Sequence, residues 1–379
     1  MAEKFRQAGY TNIKALQGGV DAWKDTFGKD SVGSSGDQKF LNLALQGGGT
    51  HGAFTWGVLD RILADDRITI EGISGTSAGA MNAVVLADGI MQDGRPGARL
   101  ALHDFWKAIS QLSLFSPLKR TPMDVLTGNW NLDNSPTYMS MDLLTRMISP
   151  YFINPMNINP LRDVLTSQVD FERVCECDEV KLFVSATRVR DGKVQVFNRK
   201  RLSPDMVMAS ACIPTYFQAV EVEGEYYWDG GYMGNPVLYP FAYRCACSDA
   251  VIVQVNPLKC QEIPKTAREI MNRLNEITFN SSLLQELQSI DFVGKLLDEG
   301  SLDSSRYKKM LLHMISGEEE LAQFNSSSKM NAEWNFLLKL RDIGWNKADA
   351  WLQENFQLLG QESSLDLGAM FQSPEIPEE

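Results

Sequence analysis

The run Leu41-Asn-Leu-Ala-Leu-Gln-Gly-Gly-Gly-Thr-His-Gly52 decides the fold. Its first five residues read as a buried strand, the glycines end it, and helical spacing of apolar residues resumes over 53–63. The same order then repeats: a strand at 69–73, the turn Gly75-Thr-Ser-Ala-Gly79, and a helix over 78–86. Strand, glycine turn and helix in succession predict a doubly wound α/β sheet. Further strands are expected at 180–187, 194–198, 218–222, 250–255 and 310–315, with a strand-like Glu225-Tyr-Tyr-Trp228 before Asp229. The run 334–356 reads as a covering helix pair broken at Gly344, and 111–160 as an irregular insertion over the sheet.

Two turns carry the chemistry. Gly75-Thr-Ser-Ala-Gly79 is a G-x-S-x-G at a strand-to-helix junction, the setting of a nucleophile elbow. Gly75 and Gly79 give the room that such a sharp turn needs, and the helix N-terminus directs N–H groups at Ser77. The loop Gly47-Gly-Gly-Thr-His-Gly52 admits two readings. Gly47, Gly49 and Gly52 fit the dinucleotide pattern G-x-G-x-x-G, with Glu71 placed where a ribose-binding acid would stand. Alternatively, the amides of Gly47, Gly48 and Gly49 form an oxyanion hole. The second reading uses both turns, because loops after successive strands converge at the carboxyl edge of one sheet. A phosphate-binding P-loop is excluded, since no Gly-Lys-Ser/Thr follows the glycines.

A serine nucleophile needs a base. The histidines are His51, His103 and His313, and the order Ser77, Asp229, His313 allows a triad of α/β-hydrolase type. The other candidate is Asp229 acting without histidine, placed in a crevice by the tight turn of Gly230 and Gly231.

Composition narrows the field. Lys+Arg 36 against Asp+Glu 48 leaves a formal charge of −12, which gives no general pull toward nucleic acid or an anionic bilayer. No apolar run reaches transmembrane length and no signal-peptide core is read near the start, so a cytoplasmic protein with reduced thiols is expected. The pairs Cys175/Cys177 and Cys245/Cys247 lack the spacing of a structural zinc site, and no metal or cofactor is expected.

The ordered set Gly47 to Gly52, Gly75 to Gly79 and Asp229-Gly-Gly231 resembles the patatin-like phospholipase family. Leu182-Phe-Val-Ser-Ala-Thr187, Ala209-Ser-Ala-Cys-Ile-Pro-Thr-Tyr-Phe217 and Val251-Ile-Val-Gln-Val-Asn-Pro257 resemble further segments of it, so the likeness covers about 40–260. The resemblance implies a three-layer α/β/α sandwich with a mostly parallel sheet. It also implies lipid acyl-ester hydrolysis by a Ser77–Asp229 dyad with the glycine loop as oxyanion hole. Esters other than lipids, such as a storage polyester, remain open as substrates. His51 departs from the family, which usually has arginine in this loop.

The hydrolase domain is expected over 38–360. Residues 1–30 resemble the C-terminal end of a rhodanese domain, without the cysteine loop that sulfur transfer needs; 31–37 read as a linker and 361–379 as a disordered acidic tail. Within the insertion, Leu112, Leu114, Phe115, Leu118, Trp130 and Tyr138 have two readings. They roof the core, as base rates of apolar burial favour, or they form a peripheral membrane contact.

Overall fold

An apolar run as continuous as 41–45 demands cover on both faces of its strand. In β1 (Lys39–Leu45), Leu41, Leu43 and Leu45 join one core while Ala44 joins a second. This computed structural model describes residues 38–260 and 263–371. The rhodanese-like segment, the linker, the tail from 372 and the Phe115 side chain lie outside the described residues. The chain runs through α1 (Gly52–Leu63), β2 (Ile68–Gly75), α2 (Ala78–Phe115), β3 (Lys181–Arg188), β4 (Val194–Asn198), β5 (Val220–Val222) and β6 (Glu225–Asp229). It ends with β7 (Asp249–Gln254), α3 (Ala267–Asp298), β8 (Leu311–Ser316) and α4 (Trp334–Asn355), with shorter helices between these elements.

The strands form one eight-stranded sheet in the order β5-β6-β3-β2-β1-β7-β8, with β4 also on β3. The pairs β1/β7, β7/β8 and β2/β3 are parallel, whereas β3/β4, β3/β6 and β5/β6 are antiparallel. Helices α1, α2 and α4 cover the face of Leu41 and Leu43. On the other face Phe241, Leu283 and Leu287 pack against Ala250 and Ile252. The result is the three-layer α/β/α sandwich with a mostly parallel sheet.

The helices depart from expectation more than the strands do. The helix expected over 78–86 continues to Phe115, across a kink where Asp93 and Gly94 leave helical geometry and Pro96 opens the next turn. The insertion is not irregular. It is built of the short helices Pro122–Thr127, Pro136–Met147, Pro150–Ile153 and Pro160–Gln168, each with proline in its first turn, where the missing N–H costs nothing. Such helices are too short for a periodic signal. The 32-residue α3 went unanticipated because its buried residues are few, Asn280, Leu283 and Leu287, and make no apolar stripe.

Gly344 does not break the run 334–356. It lies inside one continuous α4, and a Cβ there would stand 2.0 Å from the Phe54 carbonyl oxygen. The glycine therefore lets the backbones of α1 and α4 touch. Gly344→Ala should lose about 1–3 kcal/mol or more through forced separation of the two helices, read as a lower urea midpoint. An unchanged midpoint would show that the helices part freely.

Candidate active site

Strands β1, β2 and β7 end at one edge of the sheet, and the loops that leave them meet there. Ser77 is the N-cap of α2, with φ 54 and ψ −121. A residue with a side chain seldom adopts this backbone, and it is the sharp turn that lifts a nucleophile off the sheet. The turn fits because Gly79 has no side chain: a Cβ would stand 2.3 Å from the Leu45 carbonyl oxygen. Gly75 is crowded in the same way by the Gly79 carbonyl. The Ser77 N–H donates to Ser210 Oγ at 2.9 Å. Beside it, the Thr76 hydroxyl lies 2.6 Å from the Gly234 carbonyl oxygen and 2.6 Å from Ser185 Oγ.

Register places Asp229 level with this turn. Gly75 opposes Val184 on one side of β3, and two residues on Ala186 opposes Asp229 on the other. The Asp229 carboxylate is only 3% exposed, and its Oδ1 accepts from Gly231 N–H at 2.7 Å. Its backbone is pinned as well, N–H to the Cys212 carbonyl at 2.7 Å and carbonyl from Thr187 Oγ1 at 2.8 Å. Burial pushes the carboxyl up to about 7, against the opposing influence of the Gly231 N–H and the neighbouring Ser77 side chain.

The three glycines expected to supply amides are not equivalent. Gly47 is buried, and its N–H already donates to Asn235 Oδ1 at 2.7 Å, so it is committed to holding the loop. This corrects the expectation for that residue. Gly48 and Gly49 are half-buried and exposed, and among the described residues neither amide has an acceptor. The same holds for the N–H of Ala78, the residue after Ser77.

The competing readings lose their residues to other tasks. His313 is fully buried and lies 3.1 Å from Asp249 Oδ1 through Nε2, at the amino end of β7 and so at the opposite edge from Ser77. Ser364 N–H donates to its Nδ1, which leaves Nε2 as the protonated nitrogen. His51 donates from Nε2 to Ser328 Oγ at 2.8 Å, and burial, helped by the Lys329 charge, lowers its pKa to about 3. His103 lies beside Asp104 and edge-on to Trp56 and Trp334. Glu71 is not at the carboxyl end of β2. It accepts from Ala246 N–H, Cys247 N–H and Lys181, which removes the ribose-binding acid of the dinucleotide reading. All four residues of the Cys-x-Cys pairs are free thiols.

Several residues of the site escaped sequence reasoning. Ser210, Asn235, Asn256 and Lys329 reach it from distant parts of the chain, and only Ser210 and Asn256 stand in stretches that the sequence itself singles out. Asn256 Nδ2 donates to the Gly47 carbonyl at 2.7 Å, and Lys329 Nζ donates to Asn256 Oδ1 at 2.8 Å.

Among solved structures, VipD from Legionella pneumophila aligns at 14% identity and TM-score 0.33, covering 82% of this chain and 67% of its own. The complex of full-length SpcU with full-length ExoU from Pseudomonas aeruginosa aligns at 14% identity and TM-score 0.28, covering 82% and 53%. Likenesses this distant carry no weight for function. No curated protein matches the chain. The family model of the patatin-like phospholipases matches residues 43–241, more than half of the chain and a span that contains Ser77, Asp229 and the glycine loop. The chain belongs to the patatin-like phospholipase family.

Proposed function

We propose that the protein hydrolyses acyl esters of lipids with Ser77 as nucleophile and Asp229 as base. The observation that carries this reading is a buried Asp229 carboxylate level with the Ser77 turn, with no cation in ion-pair reach among the described residues. Asp229 takes the hydroxyl proton as Ser77 Oγ attacks the ester carbonyl. The N–H groups of Gly48, Gly49 and Ala78 take the developing oxyanion, a contribution of roughly 3–4 kcal/mol for each indispensable donor in other hydrolases. The protonated Asp229 then gives its proton to the departing alcohol. Water, activated by the same carboxylate, releases the acyl group from Ser77.

The insertion supports a peripheral membrane contact, though mostly through residues other than those singled out by sequence. Tyr138 is buried, and Trp130 stacks on Phe336 beneath Arg120, so both roof the core, and Leu112 packs against it. Leu114 is exposed, as are Leu126, Phe152 and Met156, the last three more than four-fifths. These helices adjoin the site: Gln218 Nε2 donates to the Asn154 carbonyl at 2.8 Å, six residues beyond the Cys212 that anchors Asp229. No helix among the described residues is long and apolar enough to cross a membrane. With a charge of −12, attachment rests on burying such side chains, each contributing about 1.5–3 kcal/mol when fully removed from water.

Ser77→Ala and Asp229→Asn should each lower kcat/KM on lipid esters about a thousandfold or more with the fold intact, and a fluorophosphonate should label Ser77. Near-normal turnover by Ser77→Ala would end the proposal.

The pH profile follows from the carboxylate. Asp229 works only when ionised, so kcat/KM should fall as pH drops through about 7, and this limb should persist in His313→Ala. The sign for stability is opposite to that of a salt-bridged acid. Because the folded pKa lies above the unfolded 3.8, the wild type loses stability as pH rises from about 4 to 7, and Asp229→Asn should escape that loss. Loss of the limb in His313→Ala would reinstate the triad.

For the membrane contact, co-sedimentation with neutral phosphatidylcholine vesicles is the measure. Leu126→Asp/Phe152→Asp should abolish it in a folded protein, and added salt should not. Unimpaired binding by the double variant places the contact elsewhere.

A further inference from the structure

The glycine loop carries no full charge of its own and has a close neighbour. His51 turns its ring onto Ser328 and stays neutral. The short turn Ser326–Met330 is laid along the loop. Thr50 Oγ1 donates to the Ser328 carbonyl at 3.0 Å, and Gly49 comes so close that a Cβ on it would stand 2.5 Å from the Lys329 carbonyl oxygen. Lys329 is therefore fixed at its backbone beside Gly49 and at its ammonium on Asn256, which itself holds the Gly47 carbonyl. Both ends of the side chain are tied to the loop whose Gly48 and Gly49 amides lie open.

What the ammonium lacks is an anion. Among the described residues it has one neutral acceptor, Asn256 Oδ1, and no carboxylate in ion-pair reach. The acid that acts on it from a distance, Glu276, is bonded to Arg273 at 3.0 Å. Burial lowers its pKa from the ordinary lysine value, the mark of an ammonium short of compensation. A half-buried, unpaired cation costs free energy unless a ligand completes it, and an ammonium offers three donors. The ligand chemistry it fits is a phosphate oxygen.

We propose that Lys329 is a specificity-determining residue of this site: its ammonium contacts the phosphate of a substrate whose acyl ester lies at Ser77, and so favours phospholipids over neutral glycerides. The assignment rests on the acyl-hydrolase reading above. It transfers to a residue far along the chain, outside the segment matched by the family, the positive charge that the loop itself does not carry.

The test compares phosphatidylglycerol with diacylglycerol of the same acyl chains, both in neutral detergent micelles. Lys329→Gln and Lys329→Met should lower the ratio of kcat/KM on phosphatidylglycerol to that on diacylglycerol by about 10- to 100-fold, mostly through KM for phosphatidylglycerol. Lys329→Arg should keep most of the preference. Equal losses on both substrates would make Lys329 a brace of the loop and overturn the assignment, as would no loss on either. A second readout does not depend on the lipid substrate. Glycerol 3-phosphate should slow fluorophosphonate labelling of Ser77 in the wild type and not in Lys329→Met. Wild type that is labelled at Ser77 yet inert on both lipids defeats the acyl-hydrolase reading; absent protection defeats the role of Lys329 alone. Thermal melting of each variant separates these results from unfolding, with Lys329→Met retaining the stem of the side chain.

Discussion

The left-handed backbone at Ser77 carries an expected cost of roughly 1–3 kcal/mol, and contacts from several directions hold it in place. Gly79 lets the first turn of α2 press against the Leu45 carbonyl, Thr76 is tied to Gly234 and Ser185, and the Ser77 N–H is taken by Ser210. Each partner belongs to a different element, and none reaches Ser77 unless the sheet order brings β1, β2 and β3 side by side. The strain is thus balanced by the whole sandwich. Its effect is local: Ser77, the nucleophile of the proposed mechanism, stands on a sharp turn level with Asp229.

Desolvation then sets the charge of every titratable group at this edge. The same burial raises the Asp229 carboxyl and lowers both the His51 imidazole and the Lys329 ammonium, because in each case the charged form is the one that water would have stabilised. For Asp229, the base of the proposed mechanism, this brings the carboxyl up to about 7, close to neutrality. For His51 it produces a neutral strut. The glycine loop therefore presents dipoles, and the cation fixed beside it is Lys329.

Much of this was legible in the sequence because it is local. A strand, a glycine turn and a helix are each written within a dozen residues, so β1, β2 and their turns could be read from 41–86. The strand ends fell within about two residues of the observed ones. The fold class and Ser77 follow from the same stretch, and Asp229 from its glycine turn together with the order of the motifs. What stayed hidden depends on tertiary approach. Gly344 reads as a break in a helix and is a contact with Phe54; Gly47 reads as an oxyanion donor and is committed to Asn235, 188 residues away. No spacing encodes such pairs. The short helices of the insertion were missed for another reason, since one or two turns capped by Thr121, Ser149 or Asn159 bury too little to show a period.

The turn Ser326–Met330 links the glycine loop to the insertion. On one side it braces the glycine loop through Ser328 and Lys329. On the other it grips the insertion. Leu132 N–H donates to Ser327 Oγ at 2.8 Å, Asn325 N–H to Asn131 Oδ1 at 2.9 Å, and Asn331 Nδ2 to the Trp130 carbonyl at 2.9 Å. Ser327, Ser328 and Asn331 are all buried, so breaking these bonds would leave polar groups without water and would cost more than the bonds contribute when made. The insertion is therefore not a loose flap laid over a finished hydrolase. Displacing residues 130–132 means displacing the turn packed against Gly49, and with it one of the amides assigned to the oxyanion in the proposed mechanism.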